Sequence, residues 1–319
     1  MPKLRAIPEM QSIDWHDYSV FGLKLRSAIE LPELPGSDGS VAPDVIVSIG
    51  QVQANGLPAG IHRQGDTIIL IVESVGRFLI TGGREILIDA DALVPPKNVR
   101  LYLLGSAFGI LLHQRGMLPL HANAIDIGGK AYAFMGESGA GKSTLAAWFH
   151  DQGHRVLADD VCVVSFDPDD GRAIVYPGLS RLRLWQDALE ESGRDAGQYE
   201  RSYEHDTPDK FDVPVSADGR NSRIELGGIY LLERSDCVSI RALDGVAGAE
   251  AIWANTYRGN MVAMLRSEKA HMGKALDLLN KVPMFVLARP LDHGLKSEVG
   301  QMILDHVHSN PATPEESVA

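Results

Sequence analysis

The chain has 319 residues, of which 45% are hydrophobic and 23% charged, and a formal net charge of −12. That length can bury a sizeable core and predicts two domains, in the composition range of an ordinary globular protein. The acidic balance argues against general nucleic-acid binding and against docking on anionic membranes. At the start, "MPKLRAIPEMQSIDW" lacks the apolar core of a signal peptide.

Residues 1–97 read as a β-rich accessory or substrate-recognition domain. Short apolar runs at 18–25, 44–50, 67–74, 76–83 and 85–90 are punctuated by Gly, Pro and Asp, as strands are. The stretch 31–44 is a turn-rich connection. "DADALVPPKN" (89–98) ends this pattern and marks the domain boundary. The run 101–112 is too short to span a bilayer and predicts a buried helix near 99–115. Residues 98–308 then alternate as an α/β catalytic domain. Strands are expected at 155–158, 161–166, 173–176 and 224–232, and helices near 247–254, 268–281 and 294–308. The polar stretch 192–222 reads as a long loop and 309–319 as a disordered tail. The two cysteines, Cys162 and Cys237, lack metal-type spacing and fit a reducing cytoplasm.

"MGESGAGKST" (135–144) matches the phosphate-loop pattern in full. An apolar strand precedes it and a helix-spaced segment follows. Three glycines let successive N–H groups turn inward around an anion, and the helix beginning at Lys142 adds its positive end. Gly136, Glu137, Ser138, Gly139, Ala140, Gly141, Lys142, Ser143 and Thr144 are therefore expected around nucleotide phosphates. Lys142 would reach the outer phosphates, and the Ser143 hydroxyl would ligate magnesium.

Downstream, "GHRVLADDV" (153–161) places Asp159 and Asp160 at the end of a short buried strand. A strand–helix–strand crossover would bring that end beside the phosphate loop, with one carboxylate toward the metal and the other toward the phosphate acceptor. Upstream, "HANAIDIGGKAYAFMG" (121–136) predicts a hairpin turning at Gly128-Gly129. Pairing Ile127 with Lys130 sets His121 opposite Gly136, within reach of the reaction. His154 is expected at a helix end and His205 in solvent. Arg181 and Arg183 alternate with leucines and either line the cleft or face solvent. Lys210, Arg258 and Arg289 are candidate ligands for phosphate or carboxylate.

On His121, Gly136 to Ser143 and "GHRVLADD", the chain resembles the HPr kinase/phosphorylase family, which shares a core with phosphoenolpyruvate carboxykinase. "PGLSRLRLW" (177–185) extends the resemblance to a divergent branch that includes lasso-peptide precursor kinases. The resemblance implies a phosphate-loop α/β core, ATP and Mg2+ as cofactors, and phosphorylation of a serine on a peptide or small protein. It implies Lys142, His121 and Asp159 as catalytic residues, with Asp159 the base and Asp160 or its neighbour binding magnesium beside Ser143. It also implies a homo-oligomer. The family's second signature, containing glycine, asparagine and an arginine, is not found here, so neither HPr as acceptor nor a reverse activity is implied. A small-molecule kinase on the same core and a nucleotide-binding regulator without transfer chemistry are the alternatives.

Overall fold

The computed structural model describes residues 14–54, 56–179, 181–202, 210–215 and 222–310. His205, the tail beyond 310 and parts of 192–222 lie outside the described residues.

The first seven strands are β1 (His16–Val20), β2 (Leu23–Ser27), β3 (Val45–Ile49), β4 (Gly60–Gln64), β5 (Thr67–Val72), β6 (Gly76–Thr81) and β7 (Glu85–Ala90). They form one sheet in the order β1-β2-β3-β7-β6-β5-β4. The single strand expected at 18–25 is a hairpin instead. Phe21 (φ 53°) and Gly22 (φ 77°) both take the left-handed conformation that a two-residue turn between twisted strands requires. β4 has no counterpart among the expected strands, because "GIHRQ" is polar, largely exposed and without apolar alternation.

α1 (Pro96–Tyr102) starts at a proline, whose missing N–H costs nothing in the first turn. It passes through a π turn at Leu103–Ala107 into α2 (Phe108–Gln114). This is the expected apolar helix, and it packs on the N-terminal sheet. Val99, Leu103, Phe108 and Leu111 share one core with Val20, Phe78, Ile80 and Ile86, so buried contact continues across residues 97 and 98. The π turn faces Tyr257 and Arg258. Gly109 leaves room for the Tyr257 ring, and the Arg258 guanidinium donates to Ser106 Oγ at 2.5 Å.

Next come β8 (Leu118–Leu120), β9 (Ala122–Ile127), β10 (Lys130–Met135), α3 (Lys142–Asp151), β11 (Arg155–Ala158), β12 (Cys162–Phe166) and β13 (Ala173–Val175). They are followed by β14 (Arg181–Trp185), α4 (Gln186–Glu191), β15 (Glu200–Arg201), β16 (Lys210–Pro214) and β17 (Ile224–Arg234). β18 (Ser239–Ala242), α5 (Gly245–Ala254), α6 (Asn260–Met264), α7 (Glu268–Lys281), β19 (Met284–Arg289) and α8 (Lys296–Ser309) complete the described chain. β14, β16 and β15 make a small antiparallel sheet, so the polar stretch 192–222 is not one continuous loop.

The central sheet has nine strands. Its path is β11-β9-β10-β17-β13-β12-β8, with β19 beside β17 and β18 beside β19. β10, β17 and β19 run parallel. β11 is antiparallel to β9, which is antiparallel to β10, so β10 and β11 point the same way. The phosphate loop and Asp159 therefore follow strands that end on the same edge, where open α/β sheets place ligands.

Both faces of this sheet are covered, which is why β10 reads as an unbroken apolar run. Ala131, Ala133 and Met135 face α5 and α7, joining Ile252, Ala275 and Leu278. Tyr132 and Phe134 face α3 and α8, joining Leu145, Phe149 and Ile303. No described helix is long and apolar enough to cross a membrane.

α8 braces α3, the helix that carries the phosphate loop. Gly300 lies flat under the Trp148 ring, and a Cβ there would fall well inside contact distance of it. Gly300→Ala is expected to destabilise the protein by about 1–3 kcal/mol through overpacking. Chemical denaturation checks this. An unchanged midpoint would mean that α8 is free to shift away from α3.

Candidate active site

The site begins at the carboxyl end of β10, where the backbone leaves the sheet at Gly136 (φ 151°). A Cβ at Gly136 would crowd the Leu232 carbonyl oxygen on the next strand, so the tight exit needs glycine. Gly141, in the left-handed region, caps α3, and Lys142 is its first helical residue, as the motif requires. The Lys142 ammonium is buried. It donates to Gly136 O at 2.7 Å and Glu137 O at 3.1 Å. Burial lowers its pKa, against the pull of the Asp160 and Asp159 charges.

The β9–β10 hairpin has the predicted register, Ile127 opposite Lys130 through Ala122 opposite Met135. His121 and Gly136 thus leave the two strands side by side. One residue holds both: Asn255, after α5, accepts the His121 N–H on its carbonyl at 2.7 Å and the Gly136 N–H on its side-chain oxygen at 3.0 Å. His121 Nδ1 lies 3.1 Å from the Asp160 carbonyl, a contact that requires the proton on Nδ1 and leaves Nε2 an acceptor. Burial, aided by the Lys142 charge, lowers the His121 pKa below the usual value.

Asp159 and Asp160 sit beside this loop in unlike settings. Asp159 is buried; its Oδ1 accepts the Ser143 hydroxyl at 3.2 Å and its Oδ2 accepts the Arg183 N–H at 2.7 Å. Burial and the neighbouring Asp160 charge push its pKa up to about 7. Asp160 adopts φ 65°, strained for a residue with a Cβ. Its carboxylate meets the Arg183 guanidinium at 2.9 Å. Burial opposes ionisation there, but Arg183, Lys210 and His121 together outweigh it and hold the pKa below the usual carboxylate range. Burial and the neighbouring charges thus favour the proton on Asp159 and the negative charge on Asp160. The carboxylate on the Ser143 hydroxyl is Asp159, and the one in the cavity wall is Asp160.

That cavity measures about 420 Å³. Its lining joins His121, the loop residues Ser138 to Thr144 other than Ala140, Asp160, Trp185, Asp187, Ala188 and Lys210 with Arg289, Leu291, Asp292 and Lys296. Lys210 Nζ lies 4.7 Å from the Trp185 ring centroid. Arg183 does not face solvent: with Arg181 it reaches Asp212 on β16, and alone it reaches Asp160. His154 stacks edge-on against Phe149 at the end of α3. Asn255, Trp185, Asp187, Leu291, Asp292 and Lys296 carried no sequence signal, because each reaches the site only through tertiary packing.

Ser143 Oγ and Asp159 Oδ1 are hard oxygen donors held together at the start of α3. This pair fits magnesium, which takes few protein ligands and completes its shell with water and phosphate oxygens. Among the described residues no cluster of three or more His, Cys, Asp or Glu could hold a metal by itself. A cation bound here would depend on a phosphate ligand.

The raised Asp159 pKa has a consequence for stability. Between about pH 4 and pH 7 the folded state keeps a proton that the unfolded state has lost, so stability falls as pH rises through that window. Asp159→Asn mimics the protonated form. It is expected to melt higher than the wild type at pH 8, by roughly 2–4 °C more than at pH 5. Parallel melting curves at both pH values would contradict the assignment of the proton to Asp159.

No family model matches the chain, and no curated protein does. Among solved structures it is similar to the structure of the Hpr(Ser) kinase/phosphatase from Coxiella burnetii. The two are 12% identical, the match covers 60% of this chain and 97% of that one, and the TM-score is 0.32. A likeness that loose carries no argument about fold or chemistry.

Proposed function

We propose that the protein is an ATP-dependent kinase that transfers the γ-phosphoryl group to a serine hydroxyl of a peptide or small protein, such as a lasso-peptide precursor. The observation that carries this reading is the Ser143–Asp159 contact beside Lys142, with Asp160 and His121 lining the same cavity. A phosphate nest alone serves any nucleotide binder. A second carboxylate, free of Ser143 and held in the cavity wall by an arginine, is what phosphoryl transfer to a hydroxyl adds.

In this reading the loop N–H groups and the α3 N-terminus hold the phosphates. Lys142 exchanges its two carbonyl partners for the outer phosphate oxygens. Asp159 and Ser143 would hold magnesium, whose charge would offset that of the phosphates. The acceptor oxygen forms a bond to the γ-phosphorus as the bond to the leaving ADP breaks, and the hydroxyl proton passes to Asp160. Arg183 keeps Asp160 ionised and oriented. A base of low pKa suits a loose transition state, in which the proton leaves late.

The N-terminal sheet is fastened to the chain that follows the carboxylates, and none of its described residues lines the cavity. The Phe21 N–H donates to Pro177 O at 3.2 Å, its ring fills the space left by Gly178, and Gly178 N–H bonds Leu157 O. A cytoplasmic setting fits the cofactor and the two free thiols, Cys162 and Cys237.

Labelled ATP, magnesium and candidate seryl peptides, with the label mapped by mass spectrometry, test the reaction. Label is expected on a serine side chain. Asp160→Asn is expected to cut turnover roughly 100-fold or more while leaving ADP affinity nearly unchanged. Label on a small-molecule hydroxyl would replace the acceptor class alone. Full turnover by Asp160→Asn would remove it from the chemistry.

A further inference from the structure

Arg289 is the last residue of β19, at the carboxyl end of a strand parallel to β17 and hence to β10. Pairing with Arg234 and the Ser235 N–H bond to its carbonyl fix its backbone there. Its side chain lies back across the phosphate loop. Nη2 donates to Ala140 O at 2.8 Å and reaches Gly141 O at 3.4 Å. The contact is close enough that any side chain at position 141 would collide with the guanidinium.

The arginine is 8% exposed, yet no carboxylate pairs with it among the described residues, and its buried Nε has no hydrogen-bond partner. A buried cation without an anion is costly, and two carbonyl dipoles do not neutralise it. Lys142 likewise makes no direct ion pair: its ammonium rests on the carbonyls of Gly136 and Glu137, with the Asp160 and Asp159 charges nearby. Two cations thus grip the two ends of one loop, both lining one cavity, while the loop's N–H groups favour an anion. A guanidinium presents five donors in a planar fork suited to phosphate oxygens, so it can keep Ala140 and still bind a ligand.

We propose that Arg289 is a second phosphate-binding cation, which with Lys142 clamps the polyphosphate of a nucleoside di- or triphosphate seated on residues 136–144. The inference rests on the nucleotide reading of the site and extends it to a residue outside the loop motif.

The test is calorimetric titration of magnesium–ADP into the full-length wild type, Arg289→Gln, Arg289→Lys and Lys142→Ala, at several salt concentrations. Glutamine keeps a donor for the Ala140 carbonyl and removes the charge; lysine keeps the charge and removes the fork. Arg289→Gln is expected to weaken ADP binding roughly 10- to 100-fold and to flatten its salt dependence, with Arg289→Lys between it and the wild type. If Arg289→Gln binds like the wild type while Lys142→Ala loses binding, the inference fails and the nucleotide site stands. Weakened binding with an unchanged salt dependence would reduce Arg289 to a prop for the loop and also overturn it. A wild type that binds neither ADP nor ATP would overturn the nucleotide reading and this inference together.

Discussion

The Asp159 carboxylate is the constraint on which the rest of the site depends. One oxygen holds the Ser143 hydroxyl at the start of α3, and the other holds the Arg183 N–H at the middle of β14. Three pieces of chain from different layers are thereby fixed about a single buried group: the phosphate-loop helix, the end of β11 and the small sheet. A charge in that position, next to a second carboxylate, is unfavourable, and the fold meets the difficulty by keeping a proton on Asp159.

Around this anchor the surroundings are linked by hydrogen bonds. Asn255 ties the first loop glycine to His121, and the chain on either side of it is held in turn. Thr256 Oγ1 lies 2.9 Å from His271 Nε2, and the Tyr257 carbonyl lies 2.7 Å from His113 Nε2 on α2. Burial lowers the pKa of both histidines, His271 to about 4, so they remain neutral hydrogen-bonding groups at physiological pH. The helix that fills the N-terminal sheet therefore continues by direct hydrogen bonds into the segment that positions the phosphate loop. Its π turn is where Tyr257 and Arg258 are received, in keeping with the frequent placement of such turns near functional sites.

The parts of this arrangement that the sequence made legible are those held by contiguous backbone. The phosphate loop could be read because its glycines answer a local demand, and the hairpin register because Gly128-Gly129 fixes it. The unlike settings of the two aspartates could not. Alternation of faces assumes that a strand continues, whereas β11 ends at Ala158 and Asp160 turns into the left-handed region. The same local conformation hid the β1–β2 turn, where Phe21 takes a backbone geometry unusual for an aromatic residue. Arg183 was visible as one of an alternating pair, but its partners, Asp160 and Asp212, come from distant segments. Asn255 gave no signal at all, since its function lies entirely in which two N–H groups the fold delivers to it.

The central claim is that Asp159, protonated in the free protein, gives up its proton to hold magnesium with Ser143 when a nucleotide binds. Counting protons measures this most directly: magnesium–ADP titrated at pH 6 in buffers of different ionisation enthalpy, for the wild type and for Asp159→Asn. With the Asp159 pKa at about 7, the wild type should release close to one proton more than the variant. Equal proton counts for the two proteins would contradict the account.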